Sequence, residues 1–128
     1  FKGGRKLTFE EILEEVRSLG VPLVEFTGGE PLAQPNSTLL MAEFLREGKK
    51  VLLETSGSIS LEAVPKGVHI IMDVKCPSSK MSARNRLENF NLLKESDEIK
   101  FVIGNHEDYL WARDLVKEHC LSERFQVL

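Results

Sequence analysis

Val24 to Gln34 reads VEFTGGEPLAQ, and the rest of the chain is best read outward from this stretch. It opens like an apolar strand and then turns at once into two glycines, an acid and a proline. Gly28 and Gly29 remove every Cβ from one point of the backbone, which permits positive φ and close approach by another group. Glu30 sits at that bare corner, and Pro31 keeps the strand from continuing. An ordinary turn needs far less.

On either side of the corner, helical and strand patterns alternate. Upstream, Thr8 and Glu11 form a capping box, Phe9, Ile12, Leu13 and Val16 recur at helical spacing, and Gly20 closes the helix. Strand-like runs stand at LVEFT, KVLLET, HIIMDVK, EIKFVIG and FQVL. Helices are expected between them over Asn36 to Glu47, Ser82 to Lys94 and Glu107 to His119. The gap SGSISLEAVPKG is too short for a full crossover helix. This order predicts an α/β fold built on a parallel sheet with right-handed crossovers, one of them abbreviated.

Ligands of parallel α/β sheets and barrels bind beyond the carboxyl ends of the strands. Those ends carry TGGEP (Thr27 to Pro31), ETSGS (Glu54 to Ser58), DVKCPSS (Asp73 to Ser79) and KFVIG, ending at Gly104. Taken singly, each is an ordinary turn, loop acid or surface charge. Three consecutive strand ends supplying hydroxyls, carboxylates, a lysine and bare main chain to one mouth make a candidate site.

Composition bounds the partners. The 128 residues include 17 basic and 20 acidic side chains, a net charge of −3, which argues against a general nucleic-acid or membrane-surface binder. No apolar run approaches the roughly 18 residues of a membrane span, and no signal-peptide pattern opens the chain, so a cytoplasmic location is the default expectation. Cys76 and Cys120 stand far apart with no CxxC pair, which gives no support for structural zinc or a redox dithiol.

FTGGEPLAQ resembles the GGEP motif of the radical S-adenosylmethionine (SAM) superfamily. The continuation LLETSGS, MDVKCPSS and SDEIKFVI is similar to the 7-carboxy-7-deazaguanine synthase family within it. The resemblance implies a radical-SAM-like partial (β/α) barrel over residues 1–128, a single domain expected to be incomplete at both ends. It implies that Gly28, Gly29 and Glu30 meet SAM, that Thr27 lies toward the substrate, and that Glu54, Thr55 and Ser56 flank SAM with Asp73, Val74 and Lys75. Many relatives read Ser-Pro-Lys where this chain has Asp73, Val74 and Lys75.

The implied reaction converts 6-carboxy-5,6,7,8-tetrahydropterin to 7-carboxy-7-deazaguanine with loss of ammonia, on the route to deazapurine-modified tRNA. SAM, a 4Fe-4S cluster and Mg²⁺ are the implied cofactors, with a flavodoxin-like electron donor and a homodimer as implied partners. The cluster cysteines and the Mg²⁺ ligand are expected upstream of Phe1, because FKGGRKLTFEEI resembles the segment that succeeds the cysteine motif in the family. Two other classes remain open: another radical SAM protein, such as a glycyl-radical activating enzyme, and a cluster-free α/β module that cradles a nucleotide or phosphate.

Overall fold

The computed structural model describes residues 4–128, so Phe1 to Gly3 of the FKGGRKLTFEEI lead-in lie outside the described residues. Helix α1 (Phe9–Ser18) starts on the expected capping box: Thr8 accepts from the Glu11 N–H at 3.2 Å and the Glu11 carboxylate accepts from the Thr8 N–H at 2.7 Å. Gly20, at φ +63°, ends it. Strand β1 (Leu23–Phe26) leads through the Gly-Gly corner to helix α2 (Ser37–Arg46), then strands β2 (Lys50–Thr55), β3 (His69–Val74) and β4 (Glu98–Phe101). Helix α3 (His106–Glu118), the short helix α4 (Leu121–Arg124) and strand β5 (Gln126–Val127) complete the order.

All neighbouring strands pair in parallel, in the order β1-β2-β3-β4-β5. Right-handed crossovers between strands in unbroken order place every connection on the same side of the sheet. The register agrees. Phe26, Leu53 and Ile70 lie level on one face, as do Met72 and Ile99, and Val74 and Phe101. That face is covered: Phe26 packs on Phe44 of α2 at 6.1 Å between ring centroids, and Phe101 on Trp111 of α3 at 6.4 Å. Met41, Phe44, Leu53 and Ile99 are fully buried there, each burial contributing about 1.5–3 kcal/mol.

One expected helix is absent. Ser82 to Lys94 does not form a helix. Three short 3₁₀ turns, Pro77–Ser79, Ser82–Arg84 and Leu87–Asn91, carry the chain from β3 to β4. Two asparagines take over the hydrogen bonding that a helix would have needed. Asn85 accepts from the Lys75 N–H at 2.9 Å and donates to the Lys75 carbonyl at 2.8 Å. Asn89, fully buried, donates to the carbonyls of Gly57 and Ile59 at 3.0 and 2.9 Å and accepts from the Leu61 N–H at 3.1 Å. Leu87, Phe90 and Leu93 still face the core; their spacing of three suits 3₁₀ geometry better than an α-helix.

Two smaller differences concern strand ends. EIKFVIG pairs only as far as Phe101, leaving Val102 and Ile103 exposed, and α4 interrupts the approach to β5. The β2–β3 connection has no helix, as its length predicts. Among the described residues, no helix is long and apolar enough to cross a membrane.

Candidate functional site

The face of the sheet away from the helices alternates against the core and is polar. Glu25, Leu52 and His69 lie level on it, then Glu54, Ile71 and Glu98, and beyond them Asp73 and Lys100. His69 Nε2 and Glu98 Oε1 are 3.0 Å apart, Lys75 Nζ donates to Asp73 Oδ2 at 2.6 Å, and Lys100 Nζ donates to Glu54 Oε1 at 2.5 Å. Thr27 Oγ1 at the end of β1 donates to the second Glu54 oxygen at 3.1 Å. Lys100, ahead of the Thr27 hydroxyl, holds the Glu54 carboxyl below its usual range, and Glu54 in turn pushes the Lys100 ammonium up. Asp73 Oδ1 is buried with no hydrogen-bond partner among the described residues.

At the corner, Gly28 and Gly29 take φ of +81° and +66°, and a Cβ added to either would meet open space. Glycine is needed there for backbone conformation, not because neighbours crowd it. Glu30 points back into the protein. Its carboxylate accepts from the Leu32 N–H at 3.1 Å, the Thr55 hydroxyl at 2.8 and 3.0 Å, the Ser56 N–H at 3.0 Å and the Ser56 hydroxyl at 2.5 Å. With the carboxylate so fully occupied, Glu30 holds the β1 corner against the end of β2. The main chain of Gly28 and Gly29 is left to face outward.

A cleft of about 250 Å³ lies beside this corner, lined by Gly29, Glu30, Ser56 and Lys75, all four of which the sequence marks as site residues. The same cleft is lined by Ser58, the last residue of the ETSGS strand end, and by Met81, Arg84 and Asn85, which sequence reasoning missed. Those last three arrive on the 3₁₀ segment, and the only hint of it was the three-residue apolar spacing. Thr27, Glu54 and Asp73 stand on the open face next to the cleft. Thr55 and Val74 are buried on the helix-covered side, Thr55 bonding to Glu30 and Val74 packing in the core, so they offer the rim main chain only.

Cys76 lies just past β3 and is buried. Burial, then Asp108 and Asp73, push its thiol above the ordinary value, which disfavours the thiolate that binds metals. Asp108 itself is buried and held low by Ser78, whose hydroxyl donates to it at 2.5 Å. Cys120 is exposed beyond α3. Among the described residues, no group of three His, Cys, Asp or Glu side chains could hold a metal ion. These residues therefore do not fit a 4Fe-4S cluster. The fit to SAM is better: an ammonium with three donors needs several acceptors, and the exposed main chain at Gly28 and Gly29 can supply carbonyls, while the unpartnered Asp73 oxygen is left for another donor of a ligand.

A family model described as the Radical SAM superfamily matches residues 1–119. A 7-carboxy-7-deazaguanine synthase of Koribacter versatilis is 46% identical over 126 residues, covering 97% of this chain and 56% of that protein. A protein of the same name from Chlorobaculum tepidum is 39% identical over 128 residues, covering 98% of this chain and 58% of its own length. The crystal structure of QueE from Escherichia coli superposes with a TM-score of 0.68 at 17% identity, over 94% of this chain and 62% of that one, which shows a shared fold. The chain thus spans a little over half the length of these curated relatives.

Proposed function

The chain belongs to the radical SAM superfamily, and on that premise we propose that it forms the cofactor- and substrate-facing rim of a 7-carboxy-7-deazaguanine synthase. The observation that carries this reading is the convergence of Gly29, Glu30, Ser56 and Lys75 on one cleft at the ends of three adjacent parallel strands. The relatives bearing that enzyme's name support the choice of reaction. The superfamily's SAM and 4Fe-4S cluster supply radical chemistry when bound, and the residues described here serve to position the reactants and exclude water.

In this reading the Gly28 and Gly29 carbonyls accept from the methionyl ammonium of SAM, on a corner that Glu30 keeps in place. Ser56 and Lys75 line the same cofactor cleft, and Asp73 Oδ1 receives a donor from the bound ligand. Glu54, Thr55 and Val74 hold the strand ends that shape the rim, and Thr27 faces the pterin. Residues 1–128 form one partial-barrel domain, working in the cytoplasm as a homodimer with a flavodoxin-like electron donor. Mg²⁺ belongs to the proposed reaction, held by residues other than those named here.

The test is turnover. The complete protein, reconstituted anaerobically with iron, sulfide, SAM and a reductant, is expected to convert 6-carboxy-5,6,7,8-tetrahydropterin to 7-carboxy-7-deazaguanine and ammonia. Cleavage of SAM without that product would overturn the choice of substrate.

A further inference from the structure

One polar chain on the open face lies outside the cleft. Lys100 on β4 donates to Glu54 on β2, and Thr27 at the end of β1 donates to the other oxygen of the same carboxylate. Strands two apart in a sheet are separated by roughly 9.6 Å, so a lysine side chain is needed to reach across β3. A carboxylate can only accept hydrogen bonds. The single proton of Thr27 is therefore directed to Glu54, and the lone pairs of its oxygen are left for a ligand.

Lys100 holds the opposite oxygen of the carboxylate and so fixes which oxygen faces Thr27, and the same contact holds the Glu54 carboxyl below its usual range. Lys75 acts on Glu54 more weakly in the same direction, while Asp73 and Glu25 act on Lys100 from the same face.

We infer that Lys100 and Glu54 are positioning residues that fix Thr27 as a hydrogen-bond acceptor for an N–H donor of the bound substrate. The inference rests on the proposed function, since a reduced pterin carries amino and ring N–H donors. It also goes beyond that reading, because it assigns Lys100 a role and sets the direction of the contact. An ion pair that only braced the sheet would be indifferent to where the Thr27 proton points.

The complete reconstituted protein is assayed with the carboxytetrahydropterin as Thr27→Val, Glu54→Gln, Lys100→Met and Thr27→Ser, and as the Thr27→Val/Glu54→Gln pair. Thr27→Val and Glu54→Gln are each expected to raise KM about tenfold, the loss of roughly one hydrogen bond, with kcat and SAM affinity little changed. Glu54→Gln should add nothing once Thr27 is valine, because both changes remove the same acceptor, and Thr27→Ser should retain wild-type KM. Additive effects at the two positions, or a matching loss of SAM affinity, would overturn the inference. Lys100→Met, which leaves the acceptor in place but frees the carboxylate to turn, is expected to raise KM less than Glu54→Gln; should Glu54→Gln fail to fold, Glu54→Met paired with Thr27→Val completes the same cycle. A wild-type protein that does not turn over the pterin overturns the functional reading instead, an outcome distinct from additivity in an active enzyme.

Discussion

A carboxylate at a strand end can meet a ligand or hold a loop, and Glu30 is placed for the second task. Its two oxygens receive main-chain N–H groups from Leu32 and Ser56 and hydroxyls from Thr55 and Ser56. Removing it leaves those donors without a partner in a half-buried setting, and each hydrogen bond to a charged group contributes about 1.5–3 kcal/mol. Because some donors regain water, Glu30→Ala is expected to lower the free energy of unfolding by about 3 kcal/mol. Urea unfolding of the chain provides the measurement. A loss no larger than that of an exposed glutamate would mean that the corner holds its shape without the clamp.

At the scale of elements, the segment from Cys76 to Asn91 is the piece whose conformation depends most on distant partners. Asn89 ties it to the β2–β3 loop through three main-chain groups, those of Gly57, Ile59 and Leu61. Asn89→Ala would leave two carbonyls and an N–H buried without partners, at about 1–3 kcal/mol each. Thermal unfolding should show a loss of about 3 kcal/mol, well above that for Asn91→Ala on the exposed side of the same turn. Equal losses would mean that the segment is held by its apolar residues alone. This dependence explains why the sequence pattern misleads there: Leu87, Phe90 and Leu93 advertise a buried face, but the asparagine bonds span about thirty residues of sequence. By contrast α1 was legible to its cap, because Thr8, Glu11 and Gly20 act within one turn of the helix ends. The strand-end polar residues were also legible, as alternation and position display them. The Glu54–Lys100 contact was not, since 46 residues separate the pair and only the sheet register brings them together.

For the molecule as a whole, the sheet divides the chemistry. One face packs against helices and holds the core, while the other carries the partly buried polar residues Glu54, Asp73, Glu98 and Lys100 together with exposed Glu25. The two cysteines of the sequence share neither role. Cys76 lies buried behind the end of β3, and Cys120 sits on the surface past α3. A four-iron cluster requires thiolates grouped in space, and burial holds the Cys76 thiol in its protonated form. The 128-residue chain by itself is therefore expected to take up no stable 4Fe-4S cluster when incubated anaerobically with iron and sulfide. Iron and sulfide analysis with visible absorption after desalting is the check, and Cys76→Ser should leave the small residual iron unchanged. Stoichiometric cluster bound to this chain, lost in Cys76→Ser, would require the end of β3 to open and would make the strand ends the seat of the metal as well as of the ligand.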